Sequence, residues 1–303
     1  MSRIHDALRK ATEERSAQKG ASIEPILAEV AGKVIETPRF STHLAETAVR
    51  EKVDLPEPSV ARYEKLAIRC SRPKWKIDSR MSVFQGEDGR KVGAERFRTL
   101  RSRLYQMAST RPLKRVLITS SVPAEGKSFV ASNLAQSIIR QEDRRVLLID
   151  ADLRAPRLHV MLGAPPSPGL ADYLRGEADI SNVLQNGAEG NLYFIPSGGE
   201  VKNPSELLAS ERMKKLLDSV TPIFDWIIID SPPALPVHDA SVLADLCDGV
   251  LFVVRAGQTS YEVAEKGAFE FREKNLLGVV LNGAERADSY GNYYYSEYLN
   301  EEK

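Results

Sequence analysis

In the run TSSVPAEGKSFVASNLA, Thr119 to Ala135, a lysine and a hydroxyl stand side by side where a helical pattern opens. Gly126-Lys127-Ser128 follows an apolar run and a tight loop, an arrangement that binds phosphate. The free N–H groups and positive dipole end of a helix N-terminus attract anions. Lys127 is placed to reach terminal phosphates, and the Ser128 hydroxyl to bind magnesium. The full phosphate-loop pattern would need Gly where this chain has Ser121, so a helix cap that merely reads Gly-Lys-Ser is the plain alternative. A second group of polar residues closes VLLIDADLRAPRLH. Asp150 and Asp152, two apart, project to one side of an extended chain, and Arg154 follows. Buried without a cation or donor such carboxylates are costly; exposed, they would only cap the next helix. A third run, WIIIDSPPALPVHDA, ends its apolar stretch in Asp230 before Ser231-Pro232-Pro233 turns the chain away. Beside a phosphate loop such an aspartate serves magnesium. Asn282 ends GVVLNGAE; its amide suits an adenine edge and equally suits a turn before Gly283.

These groups need a frame that gathers them. RVLITS (115–120), RVLLID (145–150), LYFIPS (192–197), DWIIID (225–230), GVLFVVR (249–255) and LLGVVLN (276–282) read as strands. They are continuously apolar, as strands covered on both faces must be. Helical patterns lie between them, among them Lys127–Arg140, Pro204–Val220 and Glu262–Lys274. Alternating strands and helices predict an α/β fold, a doubly wound, mostly parallel sheet with helices on both faces. Ligands of such sheets sit beyond the carboxyl ends of the strands. Each candidate residue above falls at such an end.

The domain is expected to run from about 82 to 286, after a largely flexible leader over 1–81 and before a tail at 287–303. In residues 1–80 sixteen Lys and Arg face twelve Asp and Glu, so the leader is mildly basic. Ile4, Ala7, Leu8 and Ala11 have helical spacing; they belong to the flexible leader or form a short docking helix. Forty-two basic residues balance forty-two acidic ones over 303 residues, which favours neither nucleic acid nor an anionic membrane as direct partner. No apolar run approaches the roughly 18 residues of a membrane span, and no secretory signal opens the chain. Cys70 and Cys247 read as two buried thiols of a reducing cytoplasm. Before the sheet, GAERFRTLRSRLYQM spaces Glu95, Arg98 and Arg101 three apart on one helical face, as a solvated surface or as an interface. The tail is unusual: Tyr290, Tyr293, Tyr294, Tyr295 and Tyr298 are half of the ten tyrosines, set among residues too polar to order them in a core.

Together these motifs resemble the bacterial tyrosine kinases that partner exopolysaccharide and capsule export, among the deviant P-loop ATPases related to MinD and ParA. The family's phosphate loop is matched by Ser120, Pro123, Gly126, Lys127 and Ser128, with Ala124 in place of the usual Gly. Its Asp-x-Asp-x-Arg motif is matched by Asp150, Asp152 and Arg154, and its Asp-Ser/Thr-Pro motif by Asp230, Ser231 and Pro232. Its oligomerisation signature is matched by Glu95, Arg98 and Arg101, and the tyrosine tail is the fifth match. The resemblance covers roughly 82–303 and turns the Glu-Arg helix into an expected interface.

What the resemblance implies is an ATP- and Mg2+-dependent protein-tyrosine autokinase regulating exopolysaccharide polymerisation and export. ATP would lie against Ala124, Glu125, Gly126, Lys127, Ser128, Phe129 and Asn282. Ser128, Asp152 and Asp230 would serve magnesium. Lys127, Asp150, Asp152 and Asp230 would carry the chemistry, Asp150 by orienting or deprotonating the incoming phenol; Arg154 would hold either the aspartates or the phosphates. Acceptors would be the five tail tyrosines, largely of a neighbouring subunit in a ring. A transmembrane activator of the chain-length-determinant type would recruit this cytoplasmic chain to the inner face of the membrane. Two other classes compete: an ATP-driven binding switch like MinD or ParA, and a nucleotide-binding scaffold without chemistry. The switch branch carries an early Lys where this chain has Ser121, and no membrane helix or basic DNA face is evident.

Overall fold

The computed structural model describes residues 59–85, 91–187 and 190–284. The leader helix at Ile4–Ala11 and all five tail tyrosines lie outside these residues. Seven strands form one sheet in the order β3-β4-β2-β5-β1-β6-β7. They are β1 (Arg115–Ser120), β2 (Val146–Asp150), β3 (Gln185–Asn186), β4 (Leu192–Ile195), β5 (Trp226–Asp230), β6 (Gly249–Arg255) and β7 (Leu276–Asn282). All neighbours run parallel except β3, which pairs antiparallel with β4. The six predicted strands are present. β3 escaped the sequence because it is two polar residues at the sheet margin, with no apolar run to mark it.

Ten helices occupy the described residues: α1 (Ser59–Arg69), α2 (Lys91–Ala108), α3 (Lys127–Ile139), α4 (Leu158–Leu162), α5 (Leu170–Arg175), α6 (Ile180–Val183), α7 (Pro204–Leu208), α8 (Glu211–Val220), α9 (Asp239–Ala244) and α10 (Tyr261–Phe269). The stretch expected as one helix over Pro204–Val220 is two, because Ser210 takes an extended conformation between them. Two apolar layers sandwich the sheet. Leu117, Leu147, Ile149, Ile227, Ile229 and Phe252 face one; Val116, Ile118, Leu148, Ile228, Leu251 and Val253 face the other. Strand residues alternate between two buried faces, hence their unbroken apolarity. α3, nearly all of it buried, lies in the second layer and carries the phosphate loop at its start.

The packed domain begins well before position 82, which corrects the boundary read from sequence. Cys70 and Trp75 are buried. Tyr63 of α1 hydrogen-bonds Tyr193 hydroxyl to hydroxyl (3.0 Å), and Ser71 bridges to Gln185, continuing the sheet beyond β3. Further on, the Val83 N–H donates to the Asn133 side chain of α3 (2.8 Å). Residues 59–69 form the amphipathic helix α1, whose Tyr63 and Leu66 pack on the core, and residues 70–81 follow as a strap held by isolated anchors.

Candidate active site

β1 delivers the chain into the loop at Ser120, whose hydroxyl donates to the Val122 carbonyl (2.9 Å). The loop folds around Glu125, a residue only 2% exposed. Its carboxylate accepts from the Val122 N–H (2.8 Å), the Arg255 N–H (3.3 Å) and the Thr259 hydroxyl (2.6 Å). Its backbone carbonyl accepts from the Asn282 amide (2.9 Å). The carboxyl ends of β6 and β7 thus hold the loop from the side. Gly126 sits at φ +95°, and a Cβ there would come within 1.9 Å of the Asn282 Nδ2; only glycine fits. Ala124 also occupies the left-handed region, at φ +67°, which costs an L-residue about 1–2 kcal/mol. The bond to the Glu125 carbonyl takes one of the two amide N–H donors of Asn282 and leaves its oxygen and second donor.

The acidic residues converge as expected. Asp150 and Asp230 are register partners on adjacent parallel strands, so both reach the same edge at the same height. Both are fully buried, and Asp152 is 2% exposed. The Lys127 ammonium pairs with Asp152 (2.8 Å). The Asp152 second oxygen accepts from the Ala155 N–H (3.0 Å), and Asp150 Oδ2 accepts from the Leu158 N–H (3.1 Å). Among the described residues, Asp150 Oδ1 and both Asp230 oxygens have no hydrogen-bond partner.

Electrostatics follow from that crowding. Burial, and then the Asp230 charge, hold the Asp150 carboxyl well above the usual carboxylate range. Burial pushes Asp230 up to about 7, although the Lys127 ammonium and Ser128 hydroxyl nearby oppose the shift. Burial works against the Lys127 ammonium, but Asp230 and Asp152 outweigh it and raise its pKa. Three carboxylates around one ammonium leave an excess of negative charge in a dry site. The two orphaned Asp230 oxygens, with the Ser128 hydroxyl near them, fit a divalent cation. No group of three metal-ligating side chains forms a cage among the described residues. Magnesium suits such a place, because it is held by one or two carboxylates, water and phosphate oxygens.

Arg154 has a different partner from either one read in the sequence. Its Nε and Nη2 donate to the two oxygens of Asp239 (2.8 and 3.2 Å), and Nη2 also donates to the Ser205 hydroxyl (2.9 Å). Asp239 and the side-chain role of Glu125 were missed by the sequence reading. Asp239 opens a helix 85 residues from Arg154, and nothing local marks either it or a loop glutamate as a buried acceptor.

On α2, Glu95 and Arg98 pair with each other on the exposed surface. Arg101 turns inward and donates to the Ser137 carbonyl of α3 (2.6 Å). Two of the three expected interface residues therefore face outward, while the third braces the phosphate-loop helix. No helix among the described residues is long and apolar enough to cross a membrane.

A family model described as an AAA domain matches residues 122–268. The chain is 36% identical over 216 residues to the tyrosine-protein kinase YwqD of Bacillus subtilis, covering 70% of this chain and 91% of that protein. It is 35% identical over 210 residues to the tyrosine-protein kinase wzc of Salmonella typhimurium, covering 68% of this chain but 29% of that longer protein. The solved kinase domain of the Escherichia coli tyrosine kinase ETK superposes with a TM-score of 0.60 at 33% identity, covering 65% of this chain and 78% of that one. A relative matched over nine-tenths of its length, a solved kinase domain of the same fold and the phosphate loop with its acidic edge agree: the chain belongs to the bacterial tyrosine-protein kinase family.

Proposed function

We propose that this chain is an ATP- and magnesium-dependent protein-tyrosine autokinase whose acceptors are Tyr290, Tyr293, Tyr294, Tyr295 and Tyr298, largely on a neighbouring subunit. The observation that carries the proposal is the Lys127–Asp152 pair beside the register-matched Asp150 and Asp230, above a phosphate loop. Phosphoryl transfer asks the protein for positioning and charge neutralisation. Loop N–H groups from Ala124 to Phe129 cradle the phosphates. Lys127 exchanges Asp152 for the β- and γ-phosphates. Ser128, Asp152 and Asp230 would hold magnesium, partly through water, and the metal would supply charge neutralisation there.

Asp150 orients the acceptor phenol. The bond from the γ-phosphorus to ADP breaks, a new bond to the phenol oxygen forms, and the phenol proton passes to Asp150. An ordinary carboxylate is about six pKa units too acidic for that proton. The proton therefore moves late, in a loose transition state. The chain would work in a ring through the α2 surface, recruited to the inner face of the membrane by a transmembrane activator of exopolysaccharide export.

Against the binding-switch reading stands Ser121. It is fully buried against Gly267 of α10, and its short hydroxyl takes the place of the early lysine of that branch. The test is incubation with γ-labelled ATP and magnesium in the presence of the activator's cytoplasmic segment. Label is expected in the native chain, none in Lys127→Met alone, and label in Lys127→Met once native chain is mixed in. Label that persists after all five tail tyrosines become phenylalanine would contradict the acceptor assignment.

A further inference from the structure

We infer that Asp239 and Ser205 are positioning residues: they hold Arg154, and through it the loop that presents Asp152 to Lys127. The inference rests on the phosphoryl-transfer reading above. Three loops on the carboxyl edge of the sheet meet in this cluster. Arg154 comes from the segment after β2, Ser205 from α7 after β4, and Asp239 from the first residue of α9 after β5. Asp239 is fully buried and accepts three hydrogen bonds: two from the Arg154 fork at 2.8 and 3.2 Å, and one from the Ser205 hydroxyl at 2.5 Å. A carboxylate that deep is tolerable only when paired and fully bonded. The fork fixes direction as well as charge, because two parallel N–H donors allow a guanidinium one orientation on a carboxylate.

The same segment is held at other points. The Ala151 N–H donates to the Asp230 carbonyl (2.8 Å), and the Leu158 N–H donates to Asp150. Between these two points lie Asp152 and Ala155, and the Ala155 N–H binds the Asp152 oxygen that Lys127 does not. Besides the Lys127–Asp152 pair and the buried Leu153, Arg154 anchors that stretch, and it alone of the three ties it to α7 and α9 by hydrogen bonds. Releasing it frees the Ala155 amide, and with it the rotation of the Asp152 carboxylate. Lys127 then loses its partner in the free enzyme, and the site loses a charge fixed in place before substrate arrives. The cost falls on the chemical step more than on nucleotide capture, since the loop amides and the helix N-terminus remain in place. Arg154 itself need touch no phosphate.

The experiment uses the full chain with its activator and measures kcat and KM for ATP, with kcat divided by the number of nucleotide sites titrated by labelled ADP. The variants are Arg154→Ala, Asp239→Asn, their double mutant, Arg154→Lys and Ser205→Ala. Each of the first two is expected to lower kcat per titrated site at least tenfold while KM changes less than threefold. The double mutant should fall no further than the worse single one, as residues acting as a unit do. Arg154→Lys should recover only part of the loss, because a point charge replaces a fork, and Ser205→Ala should lose two- to fivefold. Should Arg154→Ala not fold, Arg154→Lys and Ser205→Ala carry the test alone. Multiplicative losses in the double mutant, or unchanged kcat per site in Ser205→Ala and Arg154→Lys, would overturn the inference. A native chain that binds ADP but transfers no phosphate would instead overturn the kinase reading beneath it.

Discussion

Lys127 neutralises a buried carboxylate. It is 12% exposed and its partner Asp152 2% exposed, so cutting the lysine leaves a buried carboxylate alone, a change that costs about 3–5 kcal/mol. Lys127→Met is therefore expected to lower the melting temperature as well as abolish transfer. Adding Asp152→Asn should restore most of the melting temperature and none of the activity; thermal melts beside label incorporation check both. Asp230 has the opposite sign. Its folded carboxyl keeps its proton to about pH 7, whereas the unfolded chain releases it near 3.8. The folded state thus binds more protons across that window, and stability falls as pH rises through it. Asp230→Asn should flatten part of that slope and raise the nucleotide-free melting temperature at pH 8 by about 2–4 °C. A slope between pH 5 and 8 equal to that of the native chain would contradict the burial of this charge.

Among the elements, the strands were legible because burial on both faces leaves one composition available to them. Four predicted site groups converge because their strands end in polar residues at one edge. What was not legible was lateral support. Glu125, Thr259 and Asn282 are far apart in the chain, and no spacing rule links a loop glutamate to the ends of β6 and β7. Arg154 was visible, but its partner Asp239 lies 85 residues on. The lateral support makes Gly126 intolerant: Gly126→Ala should reduce nucleotide binding at least tenfold, and Asn282→Ala in the same chain should not rescue it, since φ +95° remains closed to alanine. Ala124→Gly, by contrast, relieves a left-handed alanine and should leave the melting temperature equal or higher. A loss of several degrees there would mean that the loop needs the stiffness of alanine.

Over the whole molecule, the domain is larger than the motif-bearing part. Trp75 packs edge-on against Phe194 of β4, and a Cβ on Gly187 would strike the Trp75 ring at 1.9 Å, so the strap is built into the sheet margin. A chain starting at 82 should melt well below one starting at 59, by at least about 5 °C given the apolar surface uncovered; equal melting temperatures would show the strap to be ornamental. In the proposed ring, the charge of the tails bears on assembly. Each phosphotyrosine adds about −1.5 to −2 charges, so tails modified several times repel one another and the acidic strand ends. The unphosphorylated ring is expected to be heavier than the phosphorylated form in solution; identical masses before and after phosphatase treatment would contradict that.

The most direct measurement is a map of phosphotyrosine after the full chain is incubated with ATP, magnesium and its membrane activator, with Lys127→Met alongside. Phosphate on several residues from Tyr290 to Tyr298 in the native chain, and on none in the variant, is the predicted result. Five unmodified tail tyrosines in an activated chain that still binds nucleotide would contradict the kinase account and leave nucleotide-driven association as the function.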